Sequence, residues 1–116
     1  MVGFVIELRR GQSKARTGRT AGPRPAVGMI ERYVEDGELL AVVNRFGSTR
    51  LPTLARLDPY RDHTLQGEAV ASLFSELERI DLTALAPAER RVVGVLMDWA
   101  RQCRGDRDLR IGFSGD

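Results

Sequence analysis

Scarcity marks this chain first. Its 116 residues hold one cysteine, Cys103, one histidine, His63, one tryptophan, Trp99, and one lysine, Lys14. A single cysteine excludes an internal disulfide and any multi-cysteine metal site. A single histidine leaves little for a zinc centre, which draws on several His or Cys ligands. No metal is expected, and no cofactor. The apolar stretch Met1-Val2-Gly3-Phe4-Val5-Ile6 runs into Glu7 and has no basic flank before it. It is too short for a signal segment or a membrane span, so the expected setting is cytoplasmic, with no membrane partner.

What remains is an ordinary globular composition, 42% hydrophobic and 29% charged. A chain of this length forms one domain, residues 1–116, burying roughly two-thirds of its unfolded surface. The near absence of lysine reads as GC-rich codon usage before it reads as chemistry. The net charge of +2 conceals an asymmetry. Arg9, Arg10, Lys14, Arg16, Arg19 and Arg24 stand against Glu7 alone in the first 25 residues, whereas the rest of the chain carries 12 basic and 15 acidic groups. The segment 9–25 is rich in Gly, Thr, Ser and Pro and has no large apolar side chain, which predicts a mobile basic loop.

Val2, Phe4, Ile6 and Leu8 alternate with smaller or polar residues and predict a strand before that loop. After it, Met29 to Val34 and Glu38 to Phe46 flank Asp36-Gly37, a strong short hairpin signal because a type I′ turn needs positive φ at both central residues. Leu39 to Val43 is apolar on both faces and is expected as a central strand. Leu51 to Leu57 suggests a short extended piece.

Two helices are expected next. The first carries Leu65, Ala69, Val70, Leu73, Phe74, Leu77 and Ile80 on one stripe, with Thr64 as N-cap and Asp62 near the positive helix start. The second opens at Pro87 and carries Val92, Val95, Leu96, Trp99 and Cys103, with Gly105 as its C′ residue. Leu109, Ile111 and Phe113 alternate as a last strand. The order β-ββ-αα-β defines an α+β fold: a mainly antiparallel sheet covered on one face by two antiparallel helices.

The densest polar cluster is Asp58-Pro59-Tyr60-Arg61-Asp62-His63. Carboxylates and an imidazole suit proton transfer or cation binding. They equally suit turn and cap chemistry, with Asp-Pro opening a turn, Asp62 supporting a helix start and Tyr60 packing at the sheet edge. A third use is contact with a partner through Tyr60, Arg61, Asp62 and His63. Asp58, Asp62 and Asp116 have no spacing that resembles a calcium loop. Gly11 to Thr20 follows a strand, as a phosphate loop would, but Ser13 stands where its first glycine belongs and Gly18-Arg19-Thr20 runs toward Pro23 and Pro25 instead of opening a helix. The same segment is able to contact nucleic-acid phosphates or an acidic protein through Arg9, Arg10, Lys14, Arg16, Arg19 and Arg24. No aromatic residue is interleaved there to stack bases. Arg104-Gly105-Asp106 spells an adhesion tripeptide and reads better as a helix end. Trp99 and Cys103, on the apolar helix face, are expected in the core, with an inert thiol.

Asp58-Pro59-Tyr60-Arg61-Asp62, the Leu65-Gln66 pair, the two helices and a final strand ending Gly115-Asp116 resemble a group of small bacterial proteins that share an Asp-Pro-Tyr-x-Asp element. Residue 61, arginine here, is more often glycine in that group. The resemblance covers residues 54–116 and implies the C-terminal layout; the group has no assigned activity. Small domains of this kind are often protein-binding modules, including immunity proteins that neutralise a toxin, an association by kind alone. The expectation is a non-catalytic protein-binding module, with an immunity-type inhibitor as its particular form and an acidic partner surface. The alternative is a nucleic-acid- or ribosome-associated accessory protein using the 9–25 loop. A small enzyme using Asp58 and His63 ranks third.

Overall fold

The computed structural model describes residues 3–10, 29–58 and 60–115. Alternation builds its centre. Phe4, Ile6 and Leu8 of β1 (Phe4–Arg10) are buried, as are Leu109, Ile111 and Phe113 of β4 (Leu109–Gly115). The two strands pair antiparallel with Ile6 opposite Phe113 and Leu8 opposite Ile111, so the six side chains form one apolar face. The Phe4 and Phe113 rings meet edge to face at 5.8 Å and 82°, the arrangement their quadrupoles favour. β2 (Met29–Val34) adds to the outer edge of β1, with a bulge between Leu8 and Arg9, and β3 (His63–Leu65) adds to β4. The sheet order is β2-β1-β4-β3, antiparallel throughout.

The helical layer is equally legible in its stripes. α3 (Glu68–Glu78) buries Val70, Leu73, Phe74 and Leu77; α4 (Pro87–Gly105) buries Val92, Val93, Leu96, Trp99, Ala100 and Cys103. The Trp99 indole N–H, which a buried ring must satisfy, donates to Glu31 Oε1 of β2 at 2.9 Å. A 3-10 turn at Leu82–Ala84 joins the two helices. Asp81 caps it by accepting the Thr83 hydroxyl and N–H at 2.6 and 3.0 Å. Those bonds hold its carboxyl below its ordinary pKa. The Arg101 and Arg104 guanidinium carbons, near the end of α4, lie 5.5 and 5.2 Å from the centroid of Phe74 in α3. α3 and α4 therefore pack against each other, and α4 against β4.

Five expectations give way. The Asp36-Gly37 pair is not a hairpin turn, and 38–46 is not a strand but helix α1 (Glu38–Phe46). Gly37 does take positive φ, 101°, but as the N-cap of that helix. Leu39, Val42, Val43 and Phe46 follow i, i+3, i+4, i+7 spacing and turn inward, leaving Leu40 half exposed. The deciding group is Glu35. Its buried carboxylate accepts N–H groups from Phe4 (2.7 Å), Gly37 (3.0 Å) and Leu39 (2.9 Å). One side chain thus satisfies two donors at the helix start and ties them to β1.

The second correction is 51–57, which coils as α2 (Pro52–Ala55) instead of extending. Glu76 of α3 accepts both the N–H and the hydroxyl of Thr53, at 3.0 and 2.7 Å. Third, Thr64 and Leu65 belong to β3, and the first long helix starts at Glu68 behind Gly67, whose φ is 58°. Fourth, Gly105 closes α4 and Asp106 is its C-cap. Fifth, at the other end of β1 the strand runs on through Arg9 and Arg10, opposite Arg110 and Leu109. The sheet ladder there takes two residues that composition had assigned to the loop. The rest of that loop lies outside the described residues, as do Lys14, Arg16, Arg19, Arg24, Pro59 and Asp116. No helix among the described residues is long and apolar enough to cross a membrane.

Candidate functional site

The cluster before β3 is a turn that braces itself. Asp58 Oδ1 accepts the Tyr60 N–H at 2.9 Å, and the Asp58 carbonyl accepts the Arg61 N–H at 3.0 Å. The Asp58 N–H donates to His63 Nε2 at 2.8 Å. Asp58 Oδ1 and His63 Nε2 thus both accept from backbone groups. Accepting at Nε2 puts the ring proton of a neutral His63 on Nδ1. This is the turn chemistry the sequence suggested, reached with two differences. Asp62 is exposed and lies away from the helix start at Glu68. Tyr60 does not pack at the sheet edge; it is 70% exposed. Arg61 is more open still, its side chain 77% exposed, with Nε 3.8 Å from Asp58 Oδ2. The loop is held firmly and presents a phenol and a guanidinium outward.

A second surface lies where β1 ends. Arg9 sits opposite Arg110 across the β1–β4 ladder, and Arg10 pairs with Asp106 at 2.7 Å. Beside them, the start of α3 and the α4–β4 turn enclose a groove of about 530 Å³, lined by Glu68, Cys103, Arg104, Arg107, Leu109 and Arg110 among others. The Asp106 carboxyl is held below its ordinary value, chiefly by the hydrogen bond from Arg10 and then by the Asp108 N–H. Cys103 forms part of the floor. Burial, then the nearby negative charge of Asp106, push its thiol up to about 11, which keeps it protonated and unreactive at neutral pH. In the sequence Arg107 and Arg110 stood in no motif, and Arg104 stood out only in the Arg104-Gly105-Asp106 tripeptide. The signal was available in the three-residue spacing of Arg101, Arg104, Arg107 and Arg110, obscured because the helix ends at Gly105 and the last two fall on a turn and a strand.

The remaining polar interior is committed to the fold. Glu89, buried at the start of α4, accepts the Ala86 N–H at 3.1 Å and two bonds from Arg45 of α1, each at 3.2 Å. A broad open groove of about 850 Å³ runs between α2 and α3 past Arg50, Ser72, Ser75, Glu76 and Arg79, and its Glu76 is the cap of α2. Among the described residues no group of three His, Cys, Asp or Glu side chains is placed to hold a metal ion. No protein-family model, no curated protein and no solved structure matches the chain.

Proposed function

We propose that this chain is a non-catalytic protein-binding module that engages an acidic partner surface. The observation that carries the reading is the self-braced turn at Asp58–His63, which holds Tyr60 and Arg61 outward while Asp58 and His63 bond back to its own backbone. Tyrosine and arginine are the residue types that anchor protein interfaces, and an anchor already fixed in place loses little entropy on binding. The arginine-lined end of the sheet supplies the charge complementarity that speeds encounter with an acidic partner. Within this class, an immunity-type inhibitor of a toxin is the particular role we favour. Such a complex buries roughly 1,200–2,000 Å² in total.

The test is a photo-crosslinking residue at position 60, compared with the same residue at exposed Thr83 in the intervening 3-10 turn. Irradiation in the native cell is expected to give one discrete adduct from position 60, sensitive to protease and resistant to nuclease, and lost with Arg61→Glu. A nuclease-sensitive adduct would favour the nucleic-acid reading. Equal, diffuse labelling from both positions would remove the turn as an anchor.

A further inference from the structure

Most arginines of known surroundings in this fold that approach a carboxylate do so for a visible reason: Arg45 reaches Glu89, Arg32 and Arg9 reach Glu7, Arg10 reaches Asp106. The groove between the start of α3 and the α4–β4 turn gathers three arginines that do not. Arg104, Arg107 and Arg110 all line it, and among the described residues none of them forms an ion pair. The one carboxylate in the lining, Glu68, is too few for three cations. Arg110 is also the one buried, unsatisfied side-chain donor among the described residues: its Nε is shielded from solvent and has no hydrogen-bond partner. A buried charged donor left open is costly, and native folds rarely carry one without a use. Arg110 further stands directly opposite Arg9 in the sheet register, and Arg9 is paired with Glu7 at 3.6 Å, whereas Arg110 has no such partner among the described residues.

From these observations we infer that the groove is a binding site for an acidic peptide segment of the partner, one that brings two or more carboxylates. The inference rests on the protein-binding reading above and gives it a second, chemically defined contact. Guanidinium forks match carboxylates in a bidentate way that lysines do not. Arg104 is held ready for this, its guanidinium lying against the Phe74 ring. The protein-binding reading above favours the carboxylates of a protein partner over a bare phosphate; Leu109 and Cys103 in the lining are buried, so the arginines are the contacts the groove offers.

The probe is a fluorescent twelve-residue peptide in which glutamates alternate with leucine and glycine, followed by anisotropy and by amide chemical shifts of the intact chain. Binding is expected to shift amides in 66–71 and 103–110, to weaken as salt rises, and to fall about tenfold or more in Arg104→Glu/Arg107→Glu. Arg110→Gln, which keeps the stem of the side chain, is expected to weaken it severalfold, and Arg91→Glu, at an exposed position outside the groove, to leave it unchanged. Shifts outside the groove, or binding that survives the double reversal, would overturn the inference. So would inorganic phosphate or an oligothymidylate competing more strongly than an unlabelled copy of the peptide, because the site would then be one for phosphate. The crosslink at position 60 reads separately: if it persists in Arg104→Glu/Arg107→Glu while the peptide never binds, the groove inference fails and the module reading stands.

Discussion

The two ends of β1 handle charge in opposite ways. At its start, the Glu35 carboxylate sits in the interior and receives N–H groups from Phe4, Gly37 and Leu39. At its end, Arg9 and Arg10 lead into a surface where Arg104, Arg107 and Arg110 crowd one groove with a single carboxylate among them. A saturated charge such as Glu35 is part of the construction of the fold, because every atom able to bond has a protein partner. A charge left unsaturated and fixed in place contributes nothing comparable to stability, and its arrangement calls for an outside partner. The same distinction separates Asp58 and His63, which are spent inside their turn, from Tyr60 and Arg61, which are not.

The largest effect should come from the saturated end. Glu35→Ala strands three N–H donors, two of them at the start of α1, and removes the tie between that helix and β1. The expected loss is about 2–4 kcal/mol, read from the denaturant midpoint, with the slope unchanged. Arg104→Ala/Arg107→Ala, at the other end, should stay within about 0.5 kcal/mol of the parent, as exposed substitutions do. Comparable losses from both would erase the distinction between the two ends and make the arginine groove structural.

Glu35 also shows why part of the fold was legible in the sequence and part was not. β1, α4 and β4 follow their periodicity nearly residue for residue, since each has one apolar stripe and one core to bury it against. Leu39 to Val43 is apolar on every side, and a short run of that kind satisfies strand and helix templates alike. The choice was made by a carboxylate that lies outside the run and bonds to β1, a tertiary contact that no local pattern reports. The site divides in the same way. Asp58 to His63 was conspicuous because unlike polar groups are adjacent in sequence. The arginine groove gathers residues from the start of α3, the end of α4, the turn after it and β4, so only the tertiary fold brings them together.

A middle-sized effect is expected in the braced turn. His63→Ala removes the acceptor for the Asp58 N–H, a partly buried bond, and should cost about 0.5–1.5 kcal/mol. Tyr60→Ala should cost nothing measurable, since the ring is largely in solvent. The sharper readout is the adduct from the crosslinking residue at position 60. It should become weaker and more heterogeneous in the His63→Ala background, because the anchor has lost its brace. If Tyr60→Ala proves the more destabilising of the two, the ring is packed and the turn is not a presented surface.

The smallest effect lies at the boundary between the two regimes, in the Arg10–Asp106 pair. Arg10, like Arg9 with Glu7, does find a carboxylate, and its hydrogen bond holds Asp106 below its ordinary pKa of 3.8. A carboxyl whose folded-state pKa is depressed binds fewer protons when folded than when unfolded. Its stabilising contribution is therefore present above the ordinary value and is lost as pH falls through the depressed one. Arg10→Gln should thus be slightly less stable than the parent at neutral pH. The gap in urea midpoint should close as the solution is acidified below about pH 3.8, where the unfolded-state carboxyl takes up its proton. Both side chains are substantially exposed, so the gap at neutral pH should be small and should shrink in high salt. A gap that ignores both acid and salt would mean that Arg10 acts through its stem against the sheet, and the charge economy at this end would then rest on the unpaired arginines alone.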